Sequence, residues 1–476
     1  MTTAHPLAVG GAPGKKPFPR RFTSPLYVGS SLNPVNSSLM ATALVPIATG
    51  LHVSVGSTSV LVSSLYLASA VAQPTAGKLA EVLGPRRVFL TGILVVLAGG
   101  LVGGSGRNLA TLTVARVLIG IGTSAGFPSA MVLIRRRATA AGMKEPPGRV
   151  LGGLAIAGMA TTAVGPPLGG LLVGAAGWRW AFLINVPVTA AALAMALLWI
   201  PADPRGVGHG GPRRLAGRID LTGLLGFAAS MTALVVLLAG LPRLDVSALV
   251  VFVVVGPPTW WWELRARTPF LDLRQLLGNG ALTRTYLRQA LTLLGAYTVM
   301  YGMTQWIEEA RGLSAPAAGL LLVPMGALSA LLSGPLSSRN ILRGSLVAAA
   351  VSMLVGALGI LVLGSGSSVI LILAVSLVFG VTIATTTVGN QTALYLYASP
   401  TSIGSASGLF RTFGYLGTIA SAVISSIVFR DGVSDEGLHT LGAVLVAAGA
   451  AVLLLTVCDR RLMTHRMNHI TEETNT

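Results

Sequence analysis

Residues 77–88 read G-K-L-A-E-V-L-G-P-R-R-V, from Gly77 to Val88, a short polar stretch set between two long apolar runs. Its two glycines permit a tight turn, Glu81 falls at a helix end, and Arg86 and Arg87 hold the stretch to the face of a membrane where cations accumulate. The flanking runs, 58–80 and 87–105, have the length of about 20 residues needed to cross a hydrocarbon core. Backbone at that depth must satisfy its own hydrogen bonds, so both runs are read as helices rather than strands.

The pattern continues along the chain. Further runs fall at 28–50, 109–133, 150–174, 180–200, 220–241, 246–263, 285–307, 315–336, 344–364, 368–394, 404–429 and 438–457, which makes fourteen expected transmembrane helices and an all-α integral membrane protein. Composition agrees. The 476 residues are 53% hydrophobic and 10% charged, against about 25% charged in soluble domains, and the mean hydropathy is +0.75. The net charge of +18 does not point to nucleic acid, because the Lys and Arg lie between apolar runs instead of on one soluble face.

Orientation follows from the same charges. With the amino terminus inside, the cytoplasmic loops hold Arg86 and Arg87, Arg135 to Arg137 with Lys144, Arg213 and Arg214, Arg265 with Arg267 and Arg274, Arg339 with Arg343, and Arg460 with Arg461. The segment Asp431 to Glu436, expected outside, is acidic. This alternation supports an even number of spans with both termini cytoplasmic, as in a bacterial cytoplasmic membrane. Residues 1–26 read as a retained cytoplasmic tail, since the apolar run after them is interrupted by Asn33, Pro34 and Asn36, unlike the core of a signal peptide. The single cysteine, Cys458, cannot form an internal disulfide.

An internal repeat is visible where Gly77, Leu79 and Arg86 recur as Gly334, Leu336 and Arg343 at a constant offset. Duplicated bundles place a substrate site at the interface between the copies. The expected division is a first six-helix bundle at 27–200, a Pro-, Gly- and Arg-rich linker at 201–218, a two-helix insertion at 219–264, a cytoplasmic loop at 265–283, a second six-helix bundle at 284–458 and a tail at 459–476.

Five further segments carry a resemblance. The fourth span holds R-V-L-I-G-I-G from Arg116 to Gly122, then Gly126 and Pro128; Arg116, about 12 Å into the bilayer at 1.5 Å per residue, must face protein or water. The fifth holds Gly152, Thr161 and G-P-P-L-G-G, with Gly165, Pro166, Gly169 and Gly170, small residues that let helices approach closely. W-R-W-A-F-L-I-N-V-P runs from Trp178 to Pro187, and R-I-D-L-T-G (218–223) and T-P-F-L-D-L-R (268–274) flank the insertion. With the 77–88 stretch, these segments resemble those of the major facilitator superfamily, in its fourteen-span drug:proton antiporter branch. The resemblance implies two six-helix bundles with two extra central helices. It also implies a latch at Glu81, Arg86 and Arg87, in which Val82 and Pro85 stand where the family has basic residues. It implies proton coupling through Arg116, with Ile119 where Gln is frequent; an interhelical hydrogen-bond anchor is the alternative reading of that Arg. The G-P-P-L-G-G string is similar to the family's antiporter motif, with Thr161 where Gly is usual, and implies export.

Candidate cavity residues are Asn33, Asn36, Arg116, Tyr297, Tyr301, Gln305, Asn390 and Gln391; Tyr297, Tyr301 and Gln305, spaced by four, share one face of a regular helix, which could equally be a packing seam. Arg411, in S-G-L-F-R-T-F-G-Y, lies about 11 Å deep, close enough to the cytoplasmic side to snorkel. Asn33 stands where the family commonly has Asp in its first span. The remaining coupling candidates, Glu81, Glu308 and Glu309, lie at helix ends, where a solvated or ion-paired residue is the plainer reading of each. No phosphate-cradling loop, paired Cys or metal-spaced His appears, so neither an enzyme nor a cofactor is expected. The expected partners are a small-molecule substrate, protons where coupling operates, and lipid, with the chain a monomer. The function expected is a secondary exporter of amphipathic compounds, antibiotics included; a weakly coupled facilitator of an endogenous metabolite and a non-transporting sensor of the same fold remain open.

Overall fold

A computed structural model of the chain describes residues 17–40, 42–53, 55–143, 145–204, 220–240, 244–271, 273–313, 315–338, 342–430 and 432–459. Most of the expected 201–218 linker and of both tails lies outside these residues. Among the described residues every long element is a helix, and an interrupted helix keeps one label. In chain order they are α1 (Arg20–Met40), α2 (Ser59–Leu83), α3 (Pro85–Ser105), α4 (Leu109–Thr123, resuming as Gly126–Ala140), α5 (Gly148–Ala176), α6 (Trp180–Leu183 and Asn185–Trp199) and α7 (Leu221–Gly240). Then come α8 (Val246–Arg265), α9 (Gly280–Thr298, a π turn Val299–Met303, then Thr304–Glu309), α10 (Ala315–Ser338), α11 (Leu342–Leu361), α12 (Val369–Tyr397), α13 (Ile403–Val428) and α14 (Asp435–Val457).

Ten of these, counted over the described residues, have the length and hydropathy of a membrane span: α3, α4, α6, α7, α8 and α10 to α14. Helices α1, α2, α5 and α9 are not among them; α1 and α9 are diluted by polar side chains, Asn33 and Asn36 in one and Arg284, Arg288 and Gln289 in the other. Caps set several starts. Asn108, Asp245, Ser368 and Ser434 each accept a hydrogen bond from a backbone N–H in the first turn of the helix that follows, satisfying donors a helix leaves open.

The packing of the first six helices recurs in the last six. The pairs α1–α5, α2–α4, α3–α4, α3–α6 and α1–α6 reappear as α9–α13, α10–α12, α11–α12, α11–α14 and α9–α14. The two sets meet along α2–α13 and α5–α10, while α7 and α8 pack on each other and reach the rest through α7, against α2 and α13.

Two expected boundaries move. Helix α1 begins at Arg20, inside the segment read as a tail ending at 26, and stops at Met40 before a separate short helix, Leu44–Leu51. Its early start has a packing cause: Phe22 and Leu26 are buried in the cluster that holds Phe89 and Phe127, and the Arg137 guanidinium lies 4.6 Å from the Phe22 ring centroid. The segment read as a loop at 265–283 contains a short helix, Leu273–Gly278.

Candidate functional site

At one end of the molecule gather Arg86, Arg87 and Arg135 to Arg137, and contacts between the two six-helix sets close this basic end. Glu81, near the end of α2, accepts hydrogen bonds from the Ser405 backbone N–H at 2.8 Å and the Ser405 hydroxyl at 3.0 Å. Ser405 lies in the first turn of α13, so the carboxylate meets a free N–H and the positive end of a helix dipole together. The helices can approach this closely because glycines face each other: a Cβ on Gly404 would meet the Gly77 carbonyl oxygen at 2.5 Å, and one on Gly77 would run into the Gly404 carbonyl. Further along the same end, the Ser337 hydroxyl on α10 donates to Gly148 O at the start of α5. Arg135 donates to Tyr395 O at 3.2 Å with its guanidinium 4.6 Å from the Tyr395 ring centroid.

Arg86 and Arg87 sit beside this closure, within the first set. Their backbone N–H groups donate to the two oxygens of Asp203 at 3.4 and 3.1 Å, which caps α3, and Asp203 also pairs with Arg136 at 3.3 Å. The Arg86 guanidinium donates to Leu197 O at 3.0 Å.

Midway along the bundle the two sets share a polar cluster. Tyr415 on α13 donates to Asn33 Oδ1 on α1 at 2.8 Å and accepts from Gln73 Nε2 on α2 at 3.2 Å. The Asn33 amide nitrogen donates to Ser69 Oγ at 3.0 Å and Thr123 Oγ1 at 2.9 Å, so one buried side chain joins α1, α2, α4 and α13. Tyr415 lies about 18 Å along α13 at 1.5 Å per residue, near the middle of a hydrocarbon core about 30 Å thick. The rings of Tyr66 and Tyr415 are 5.8 Å apart and those of Tyr297 and Tyr301 5.6 Å apart. Arg411, one helical turn before Tyr415, places its guanidinium 4.2 Å from the Phe127 ring centroid on α4. The cluster offers hydroxyls, amides and aromatic faces, which suit an amphipathic ligand.

Arg116 is fully buried below this cluster. Its Nε donates to Leu61 O at 2.8 Å and one terminal nitrogen to Asn36 O at 3.1 Å, while the other terminal nitrogen has no partner. Neither Arg116 nor Arg411 has a carboxylate within ion-pair distance among the described residues. Asn36 does not face the cluster: its amide pairs reciprocally with Asn185 on α6 at 2.7 and 2.8 Å. On α12, Asn390 donates to Gln289 Oε1 at 3.3 Å, and both Asn390 Oδ1 and Gln391 Oε1 are buried without a partner.

Gln305 departs from the face expected for it. A π turn at Val299–Met303 spends more residues on one turn than an α-helix does, so positions after it fall off the four-residue spacing: Tyr297 and Tyr301 stay together while Gln305 is exposed. Glu308 is half-buried and Glu309 exposed, and Arg311 donates to Ser367 O at 2.6 Å; no ion pair joins these residues among those described. Of the G-P-P-L-G-G string, Gly165 packs against Ser38 on α1 and Gly169 against Leu39 on α1 and Thr42 just beyond it, Gly170 meets open space, and Pro166 lies in the α5 backbone. Trp178, the first residue of the W-R-W-A-F-L-I-N-V-P segment, is buried against Gly50.

The residues that sequence reasoning passed over are Tyr66, Gln73, Asn185, Asp203 and Tyr415. Tyr415 had a signal, since it follows Arg411 by one helical turn on the same face. Asn185 had none, because its partner Asn36 is distant in the chain.

Comparison with known proteins follows the same architecture. The profile described as Major Facilitator Superfamily matches residues 26–422. The chain is similar to an uncharacterized transporter of that type, YwoD of Bacillus subtilis strain 168, at 31% identity over 93% of this chain and 97% of the relative. It is also similar to the multidrug resistance protein Stp of Mycobacterium tuberculosis, at 29% identity over 77% of this chain and 68% of that one. Among solved structures, the human organic anion transporter MFSD10 superposes with a TM-score of 0.64 at 16% identity, covering 91% of this chain and 99% of that one, a likeness of fold.

Proposed function

The chain belongs to the Major Facilitator Superfamily, and from that premise we propose that it is a secondary exporter of its fourteen-span drug:proton antiporter branch, moving small amphipathic molecules by alternating access. In this reading the first and last six helices are the rocking bundles, α7 and α8 are the insertion, all fourteen helices cross the membrane, and the basic end with both termini faces the cytoplasm of a bacterial cell. The protein works as a monomer. The observation that carries the reading is the Tyr415 bridge to Asn33 and Gln73, a polar site at mid-depth shared by both bundles, beside a closure at the basic end whose release would expose it to that side. The multidrug name of one relative and the G-P-P-L-G-G string support export.

A second reading has its own observation. Two buried guanidinium groups without carboxylate partners favour an anionic ligand, and the cluster contains no acid to titrate, which suits a weakly coupled exporter of an endogenous organic anion. Purified protein in liposomes separates the possibilities, with ethidium and fluorescein as cationic and anionic probes and with an imposed pH gradient present or absent. Gradient-driven ethidium movement supports the first reading and gradient-independent fluorescein movement the second. Absence of counterflow for any probe that binds overturns both.

A further inference from the structure

Helix α8 turns almost all of its surface outward, with 11% of its apolar window buried, yet Glu263 near its end is 2% exposed. Beside it lies Asp220, 8% exposed, immediately before α7. A methyl group on Gly223 would touch Asp220 Oδ2 at 2.6 Å and would run into Glu263 Oε1, so the two carboxylates crowd a single point. Their hydrogen bonds are unequal. Asp220 accepts from the Gly223 N–H at 3.1 Å, from the Trp262 indole N–H at 3.1 Å and from the Phe270 N–H at 3.2 Å. Glu263 accepts one, from the Leu271 N–H at 3.1 Å, and its Oε1 is buried with no partner.

We propose that Asp220 and Glu263 form a proton-binding pair that fixes the 266–271 segment against the end of α2 and so holds the basic end closed. The two carboxylates crowd one dry point, and the oxygen there that no N–H donor serves is Glu263 Oε1. The proton therefore resides on Glu263 Oε1, where it turns an orphaned acceptor into a donor directed at Asp220. The charged groups acting on Glu263 are Asp220 from the start of α7 and Lys78 from α2. Lys78 donates to Pro269 O at 2.9 Å, which ties the segment to the stretch that carries Gly77 and Glu81. A cavity of about 220 Å³ lined by Lys78, Glu81, Phe270, Leu271 and Ser405 lies between the 266–271 segment, whose Phe270 and Leu271 N–H groups the pair holds, and the α2–α13 closure. Loss of the proton sets two anions side by side, draws Lys78 from the Pro269 carbonyl toward them and frees the segment. The insertion thereby becomes a pH-sensitive part of the gate.

This inference rests on the transport reading but is tested without substrate. The full chain in lipid nanodiscs is titrated by infrared difference spectroscopy, and hydrogen exchange is followed in the peptide covering 266–271. In a Glu81→Gln background, which removes a second, half-buried carboxyl at this end, the protonated-carboxyl carbonyl band should vanish on alkalinisation and be missing once Glu263→Gln is added. Segment exchange, corrected for intrinsic pH dependence, should rise at least about tenfold across the same interval in the wild type and stay slow in Glu263→Gln. Lys78→Gln, which leaves the pair in place, should carry the band to higher pH. An unchanged band in Lys78→Gln, or a wild-type exchange profile in Glu263→Gln, overturns the proposal. If the pair titrates as described while no probe is ever transported, the transport reading alone has failed.

Discussion

Replacing Glu81 by Ala should open the basic end. The carboxylate makes two hydrogen bonds to Ser405, and bonds to a charged group are worth about 1.5–3 kcal/mol each. Glu81 is half-buried beside a cavity, so the lower figure applies and the pair contributes about 3 kcal/mol. At about 1.4 kcal/mol per tenfold, a basic end that is open in about one molecule in 100 becomes open in about half. Spin labels at Ala140→Cys and Thr401→Cys, both exposed at that end on opposite sides of the closure, report the distance in a Cys458→Ser background. A longer-distance population of comparable weight is expected in Glu81→Ala, and a smaller one in Glu81→Gln, which keeps an acceptor. A distance distribution identical to the parent's, in a variant of unchanged thermal stability, refutes the latch.

Other perturbations test separate contacts. Gly404→Ala puts a methyl 2.5 Å from the Gly77 carbonyl oxygen and 3.0 Å from Glu81 Oε1, an overpacking worth about 1–3 kcal/mol, and should populate the same longer distance with the Glu81 side chain still present. Tyr415→Phe strands Asn33 Oδ1 at a cost of about 1–3 kcal/mol; thermal unfolding in detergent should fall, and an unchanged midpoint counts against the bridge. Asn36→Leu and Asn185→Leu should each destabilise by a similar amount, while the double variant recovers part of the loss because no buried amide is then unpaired. Strict additivity in that cycle would show that the amide pair is not formed.

The long apolar helices were readable in the sequence because charge bounds them: α3, α7 and α10 lie within a few residues of the expected runs, each flanked by Arg or a Gly–Pro turn. Helix α1 was misplaced because its first turns are polar on every face but the one that buries Phe22 and Leu26, a stripe too narrow to register as an apolar run. Asn33 and Glu81 were found by their type and position, since an amide or acid inside or at the end of a span needs a partner. What they bind was not readable, because Tyr415 and Ser405 come from the other end of the chain. Gln305 was misjudged through an assumed period of 3.6, which the π turn at Val299–Met303 breaks. Glu263 was passed over because it follows three tryptophans at a span's end, the composition of an exposed membrane interface; only folding brings Asp220 and the Leu271 N–H to it.

The account stands on a mid-depth site that opens to one side at a time, and side-specific labelling tests this most directly. Tyr66→Cys in a Cys458→Ser background places one thiol at the cluster, and a membrane-impermeant maleimide is offered from either face of sealed, oriented vesicles. Labelling is predicted only from the face opposite the basic end, and from the basic face once Glu81→Ala is added. Equal labelling from both faces in the parent, or no response to Glu81→Ala, would contradict alternating access around this site.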